Sequence, residues 1–253
     1  MHTTASDGWP TPQELVDHTS RRGSLNVIAV TDHDTIEGAL RARDHAAKRA
    51  RLHVIVGEEV SSRDGHIVAL YLERRIRPGM SAAATVDAIH DQGGLAIAVH
   101  PFWRTERVAR NGRVHGVGWL AAELDFDAIE VENATPGFYV FNQLAHRLNL
   151  GLGAAELGSS DAHILDAVGR AYTEFPGKTP EALLRPVILH GRLVEPLPSV
   201  AESRQYAAEA IHKLPATCRS LFDTEEKYSV EYSPALLHLY EDVRGHRKLE
   251  KQV

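Results

Sequence analysis

Residues 26–35 read Asn26-Val27-Ile28-Ala29-Val30-Thr31-Asp32-His33-Asp34-Thr35. A short apolar run bounded by polar residues is the pattern of a strand buried on both faces, as in parallel sheets covered by helices. At its end stands a tight group of Asp and His. The pairing recurs along the chain. Residues 53–57 lead into Gly57-Glu58-Glu59-Val60-Ser61, residues 95–99 into His100-Pro101, and residues 151–157 into Ser159-Ser160-Asp161-Ala162-His163. His66 opens the run 66–72, and the chain itself starts Met1-His2-Thr3-Thr4-Ala5-Ser6-Asp7-Gly8. Runs at 128–131 and 171–175 bring the expected strands to seven.

Helical patterns fill the intervals. Residues 11–22 begin with Thr11-Pro12 and stop before Gly23; residues 35–51 are rich in Ala and Arg; residues 82–92 end at Gly93-Gly94; residues 179–190 stop before Gly191. Pro suits the first helical turn and Gly the position just past the last. Strands alternating with helices predict a parallel sheet with right-handed crossovers, and seven strands with charged tips predict closure into a barrel whose chemistry sits at the strands' C-terminal ends. After Pro196 and Pro198 the character changes, with helical stretches at 199–214 and 234–251. The expected organisation is a domain over 1–195 and a helical extension over 196–253 packed on it.

Composition narrows the function. The 253 residues carry a net charge of -6, which argues against a broad electrostatic grip on nucleic acid. Cys218 is the single cysteine, so no internal disulfide forms; this fits a reducing, cytoplasmic compartment. No apolar run approaches the length of a membrane span, and Met1 does not open a signal-peptide pattern. Histidine is abundant, at 15 residues. Imidazole and carboxylate together suit Zn²⁺, Mn²⁺ or Fe²⁺, with no thiolate to compete. Asp161 and His163 are two apart, so an extended segment places both on one face. Glu59, just past an apolar strand, is placed to bridge two ions.

Taken together, His2-Thr3-Thr4-Ala5-Ser6-Asp7-Gly8, Thr31-Asp32-His33, Gly57-Glu58-Glu59, Gly65-His66, Ala98-Val99-His100-Pro101 and Ser160-Asp161-Ala162-His163 resemble the motifs of the PHP family, named for its polymerase and histidinol-phosphatase members. All are present in order over residues 2–191, except the first histidine of the opening His-x-His. The resemblance implies a distorted seven-stranded, TIM-like β/α barrel carrying two to three divalent ions (Mn, Zn or Fe). It implies that His2, Glu59 and Asp161 hold one ion, that Glu59 bridges to a second held by His66 and His100, and that Asp7, His33 and His163 hold the third. Asp32 is expected behind the ligands, orienting one of them or a water in catalysis. The missing histidine would lie just ahead of Met1, which implies an N-terminal truncation by comparison and an absent first strand.

The resemblance further implies hydrolysis of phosphate esters by a metal-bound hydroxide. Arg104 and Arg170 are the expected phosphate-binding residues, since a guanidinium grips phosphate oxygens in a forked geometry. His66 and His100 are only 34 positions apart, too close for a large inserted cap. The expected substrate is a small soluble phosphate ester of the nucleotide or sugar-phosphate class, with no stable nucleic-acid complex and no membrane partner. Two alternatives stand beside it: hydrolysis of a carbamate, amide or ester by the same cluster, and a non-catalytic metal-binding module.

Overall fold

The structure is a computed structural model that describes residues 1–48, 52–104 and 114–174. Helix α1 (Pro12–Arg22) starts as the sequence dictates. Thr11 Oγ1 accepts from Glu14 N at 3.2 Å and the Glu14 carboxylate accepts from Thr11 N at 2.8 Å, a reciprocal capping box. It ends at Gly23, in the left-handed conformation at φ 64°. Then follow β1 (Val27–Val30), α2 (Glu37–Ala46), β2 (His53–Ser62), β3 (Gly65–Leu70), α3 (Ala82–His90), β4 (Leu95–Ala98), α4 (Leu120–Glu123), β5 (Ala128–Asn133), α5 (Tyr139–Leu152) and β6 (Ala155–Ser159).

The strands form one curled six-stranded sheet in sequence order, β1-β2-β3-β4-β5-β6. Its apolar content divides in two. Leu15, Val16, Ile28, Val30, Ala39, Ile67 and Ile89 build the layer between sheet and helices. Ile55, Leu70, Leu95, Ile97 and Val99 make a second cluster. A cavity of about 840 Å³ opens beside this second cluster, lined by Val27, Ala29, Ile55, Val68, Ile97 and Leu157 among others.

Three expectations need correction. The sheet is mixed: β1-β2, β4-β5 and β5-β6 are parallel, but β3 runs antiparallel to both β2 and β4. Only Arg63 and Asp64 separate β2 from β3, which suffices for a hairpin and is far too short for a parallel crossover. The sixth strand begins at Ala155 and not at 151. Gly153, at φ 62°, is the C-cap of α5, and the Asn149 side chain both donates to Ala154 O and accepts from Ala154 N, closing the helix there. Residues 171–174 form no strand, so the described residues hold six strands and not seven. Thr173 bonds to Gly158 through its hydroxyl, at 2.9 Å and 3.0 Å, where a strand would use its backbone ladder. Phe175 and the helices expected at 179–190, 199–214 and 234–251 lie outside the described residues, as does the proposed extension over 196–253.

Where the resemblance implied a gap left by an absent first strand, the start of the chain bonds near the two outer strands. Thr31 N donates to Met1 O at 2.9 Å on the β1 side, and His2 N donates to Ala162 O at 2.9 Å beyond β6. Among the described residues no helix is long and apolar enough to cross a membrane.

Candidate metal centre

Each of the strand-end groups read from the sequence reaches one place. Glu59 is its middle. Its Oε2 lies 3.1 Å from His2 Nε2, and its Oε1 lies 2.6 Å from His66 Nδ1 and 3.2 Å from His100 Nε2. Successive strand residues face opposite ways. Glu58 therefore points elsewhere: it is fully buried and accepts from Ile76 N at 2.8 Å, where burial raises its carboxyl to about 7.

His2 also reaches Asp161 Oδ1 at 3.2 Å. Asp7 faces His2 Nδ1 at 3.5 Å, His33 Nε2 at 3.7 Å and His163 Nε2 at 3.4 Å. The His163 ring donates from Nδ1 to Asp161 O at 2.9 Å, which fixes its tautomer and leaves Nε2 facing Asp7. Three sets of side chains offer ligand atoms within 4.8 Å of one another: His2 with Asp7, His33 and His163; His33 with Glu59 and His66; His2 with Glu59 and Asp161. His100 stands outside these sets but touches Glu59. All eight residues named from the sequence thus lie together.

The donor set fits divalent cations. Glu59, buried, and Asp161, partly buried, are two carboxylates turned toward the same imidazole, an arrangement that needs positive charge. Burial opposes ionisation of Glu59, yet hydrogen bonds from His100, His2 and His66 hold its carboxyl well below the usual range. Burial likewise opposes ionisation of Asp161, and the His2 hydrogen bond outweighs it, lowering its pKa. Burial disfavours His2 and His100 as cations, but Asp161 and Glu59 for His2, and Glu59 for His100, raise both to about 9. Burial, with His2 and His66 nearby, lowers His33. Protons here occupy the positions of metal charge.

The backbone under the ligands is unusual. His100 and Asp161, each at a strand end, sit at φ 30° and 44°. Non-glycine residues in this region are strained and gather at functional sites. Glu130 and Asn133, which the sequence reading missed, hold these turns. Glu130 Oε2 accepts from His100 N at 2.7 Å, and Asn133 Nδ2 donates to Glu130 Oε2 at 3.1 Å and to Asp161 Oδ2 at 3.3 Å. Burial raises the Glu130 carboxyl. A carboxylate between Ile129 and Val131 in a buried strand was the available signal.

Asp32 is fully buried behind the first turn. Its Oδ1 accepts from Thr3 N at 2.6 Å and Ser6 Oγ at 2.8 Å, and its Oδ2 from Thr3 Oγ1 at 2.8 Å. The turn carrying His2 and Asp7 is fastened to it. Close approach is obligatory here: a Cβ on Gly8 would lie 2.3 Å from His2 C, and one on Gly38 would lie 2.0 Å from Asp32 Oδ2. Asp32→Asn turns one acceptor into a donor facing donors. The expected result is a loss of about 1–3 kcal/mol in stability and roughly 10–100-fold in metal affinity, read by thermal unfolding and metal titration.

Arg104 is exposed, at φ 44°, with its guanidinium carbon 5.3 Å from the Trp103 ring centroid. Trp103 packs on His100 and His115, with ring centroids at 5.5 Å and 4.3 Å, so Arg104 sits at the edge of the centre. Burial, helped by the charges of His66 and Arg104, lowers His115 to about 4. Arg170 is exposed and its Nε donates to Asp166 O at 3.0 Å; among the described residues it bonds to none of the eight.

A family model described as PHP-associated matches residues 141–192. An uncharacterized protein of Methanocaldococcus jannaschii is 31% identical over 134 residues, which is 53% of this chain and 72% of that protein. The chain belongs to the PHP family. The 5'-3' exoribonuclease of Haemophilus influenzae is 42% identical to this PHP chain over 85 residues, 32% of the chain and 30% of the enzyme. The PHP chain thus spans under a third of that exoribonuclease. Among solved structures, a Bifidobacterium adolescentis protein named for a metal-dependent phosphoesterase activity superposes with a TM-score of 0.54. It is 18% identical and covers 77% of this chain and 95% of its own, a likeness of fold. The relatives with named activities fit the metal-dependent hydrolase class expected from the sequence.

One expectation is overturned by these relatives. A small-molecule substrate with no nucleic-acid complex was inferred partly from the net charge of -6, but the relative from Haemophilus influenzae is named for degrading RNA. Net charge describes the whole surface, whereas a phosphodiester is gripped locally, at a few cations.

Proposed function

We propose that this chain is a metal-dependent phosphoesterase that cleaves phosphodiester bonds of a nucleic-acid strand. The observation carrying the reading is the convergence on Glu59 of His2, His66 and His100, with Asp7, His33, Asp161 and His163 around them. The sequence likeness to an exoribonuclease supports the substrate class.

His2, Asp7, His33, Glu59, His66, His100, Asp161 and His163 would hold two to three ions, with Glu59 shared between two of them. Ions of this kind supply Lewis acidity, lowering the pKa of water and neutralising phosphate charge. The protein's part is positioning. Glu130 and Asn133 set the His100 and Asp161 turns; Asp32 sets the turn of His2 and Asp7. His163 presents Nε2 because Asp161 O holds Nδ1–H. Arg104, exposed beside Trp103, would grip a non-bridging phosphate oxygen.

The test is degradation of a 5'-labelled single-stranded RNA and of bis(p-nitrophenyl) phosphate by Mn²⁺-loaded protein. Both should be cleaved, and chelation should abolish cleavage. Cleavage of neither, with ions bound, would refute the reading. Arg104→Ala should lower kcat/KM roughly 10- to 100-fold through the loss of one charge-assisted contact of about 1.5–3 kcal/mol, checked by steady-state kinetics on the same RNA.

A further inference from the structure

Trp9 is 81% exposed, the most exposed large hydrophobic side chain among the described residues. Its backbone is held firmly. Trp9 N donates to His163 O at 2.8 Å, Gly8 N to Thr3 O at 3.0 Å and Thr4 N to Pro10 O at 2.9 Å, and Pro10 itself is buried. The turn therefore spans from Asp7, which faces the centre, to the segment that carries His163. Ile164, next to His163 in sequence, is also exposed, at 46%. Among the described residues no aromatic ring packs on Trp9, whereas Trp103 is occupied by His100, His115 and Phe138. A lone indole kept in water forgoes the burial that usually places tryptophan inside. A rigid exposed aromatic is instead the form of a base-stacking platform, which accepts any base because every base has a π-face.

We infer that Trp9 is a stacking platform for the nucleobase adjacent to the phosphate bound at the centre. The inference rests on the nucleic-acid reading above and assigns the residue that senses the base. A nucleotide carries its aromatic ring one sugar away from its phosphate, and Trp9 is two residues from Asp7 and bonded through its backbone to His163. The phosphate is then read by ions and Arg104, and the base by the indole beside the His163 segment.

The test compares binding of adenosine 5'-monophosphate and ribose 5-phosphate to Mn²⁺-loaded full-length protein by calorimetry, in wild type, Trp9→Ala and Trp9→Phe. The wild type should prefer the nucleotide roughly 5- to 150-fold, the range that one stacked base provides. Trp9→Ala should erase that preference and Trp9→Phe should keep most of it. Melting temperatures of the three proteins should agree, because the side chain lies in solvent. A wild type that binds both ligands equally, or a preference that survives in Trp9→Ala, overturns the platform. Survival together with a lowered melting temperature would show that the indole packs within the protein instead. Failure of both ligands to bind in a metal-dependent way would count against the phosphoesterase reading itself, and with it the platform.

Discussion

Glu59→Gln is expected to lower phosphodiester cleavage at least about a thousandfold, the upper end of what losing one preorganised electrostatic contact costs. Three imidazoles close on this one carboxylate: His2 at 3.1 Å, His66 at 2.6 Å and His100 at 3.2 Å. An amide retains the shape and removes the charge that two cations would share. One amide position also becomes a donor aimed at imidazole, so the ligand geometry suffers along with the charge. The fold should persist, since Glu59 is one residue in the ten-residue strand β2 whose ladders to β1 and β3 are backbone. Circular dichroism and gel filtration check the fold; kinetics in saturating Mn²⁺ check the chemistry. Activity near wild type in saturating metal would show that Glu59 bridges nothing. The loss should exceed that of Arg104→Ala, which removes a single phosphate contact.

The second large effect is metal stabilisation that grows with pH. His2 and His100 are raised from 6.5 to about 9 in the metal-free protein. A group whose folded pKa is raised contributes stability that is complete below its unfolded value and lost as pH climbs through the folded one. Metal-free protein should therefore lose stability between about pH 6.5 and 9. The Glu58 carboxyl, raised from 4.5 to about 7, acts in the same direction at the lower end of that window. Ions bind neutral imidazole, so at pH 7 they must displace protons from both histidines, and affinity rises toward pH 9. At a thousand times Kd, metal adds about 4 kcal/mol, or roughly 8–16 °C in Tm for a chain of this size. The Tm gain from Mn²⁺ should thus be larger at pH 8.5 than at pH 6.5, and calorimetry in buffers of different ionisation enthalpy should show proton release. A gain independent of pH would mean that the two histidines are not ligands.

The site was more legible than the sheet that builds it. A parallel strand buried on both faces leaves a simple trace, an apolar run that stops abruptly, and the polar residues at that stop are where side chains converge. That is why Asp32-His33, Glu58-Glu59, His100 and Asp161-Ala162-His163 could be read directly. Glu59 was separable from Glu58 only through the family motif; the physical difference, opposite faces of one strand, required the register. The antiparallel β2-β3 pair escaped an expected parallel sheet because apolar runs alone carry no direction, and because β2 runs on past Gly57 to Ser62, leaving only Arg63-Asp64 before β3. The start of β6 was placed too early, at 151, because Gly151 and Leu152 still belong to α5, whose end is set by the Asn149 side chain bonding to Ala154. Glu130 and Asn133 escaped notice because they act through the backbone of His100 and the carboxylate of Asp161, and such contacts exist only once the sheet has closed around them. The exclusion of a nucleic-acid substrate leaned in part on net charge, a property of the whole surface that says little about one cleft.

The most direct measurement is an anomalous diffraction map from crystals soaked in Mn²⁺. Two or three peaks should appear within the eight residues, one between His2, Glu59 and Asp161 and another against Glu59 on the side of His66 and His100, with ligand distances of about 2.0–2.2 Å. Peaks confined to other parts of the surface, with Glu59 still hydrogen-bonded to His2, His66 and His100, would contradict the metal centre.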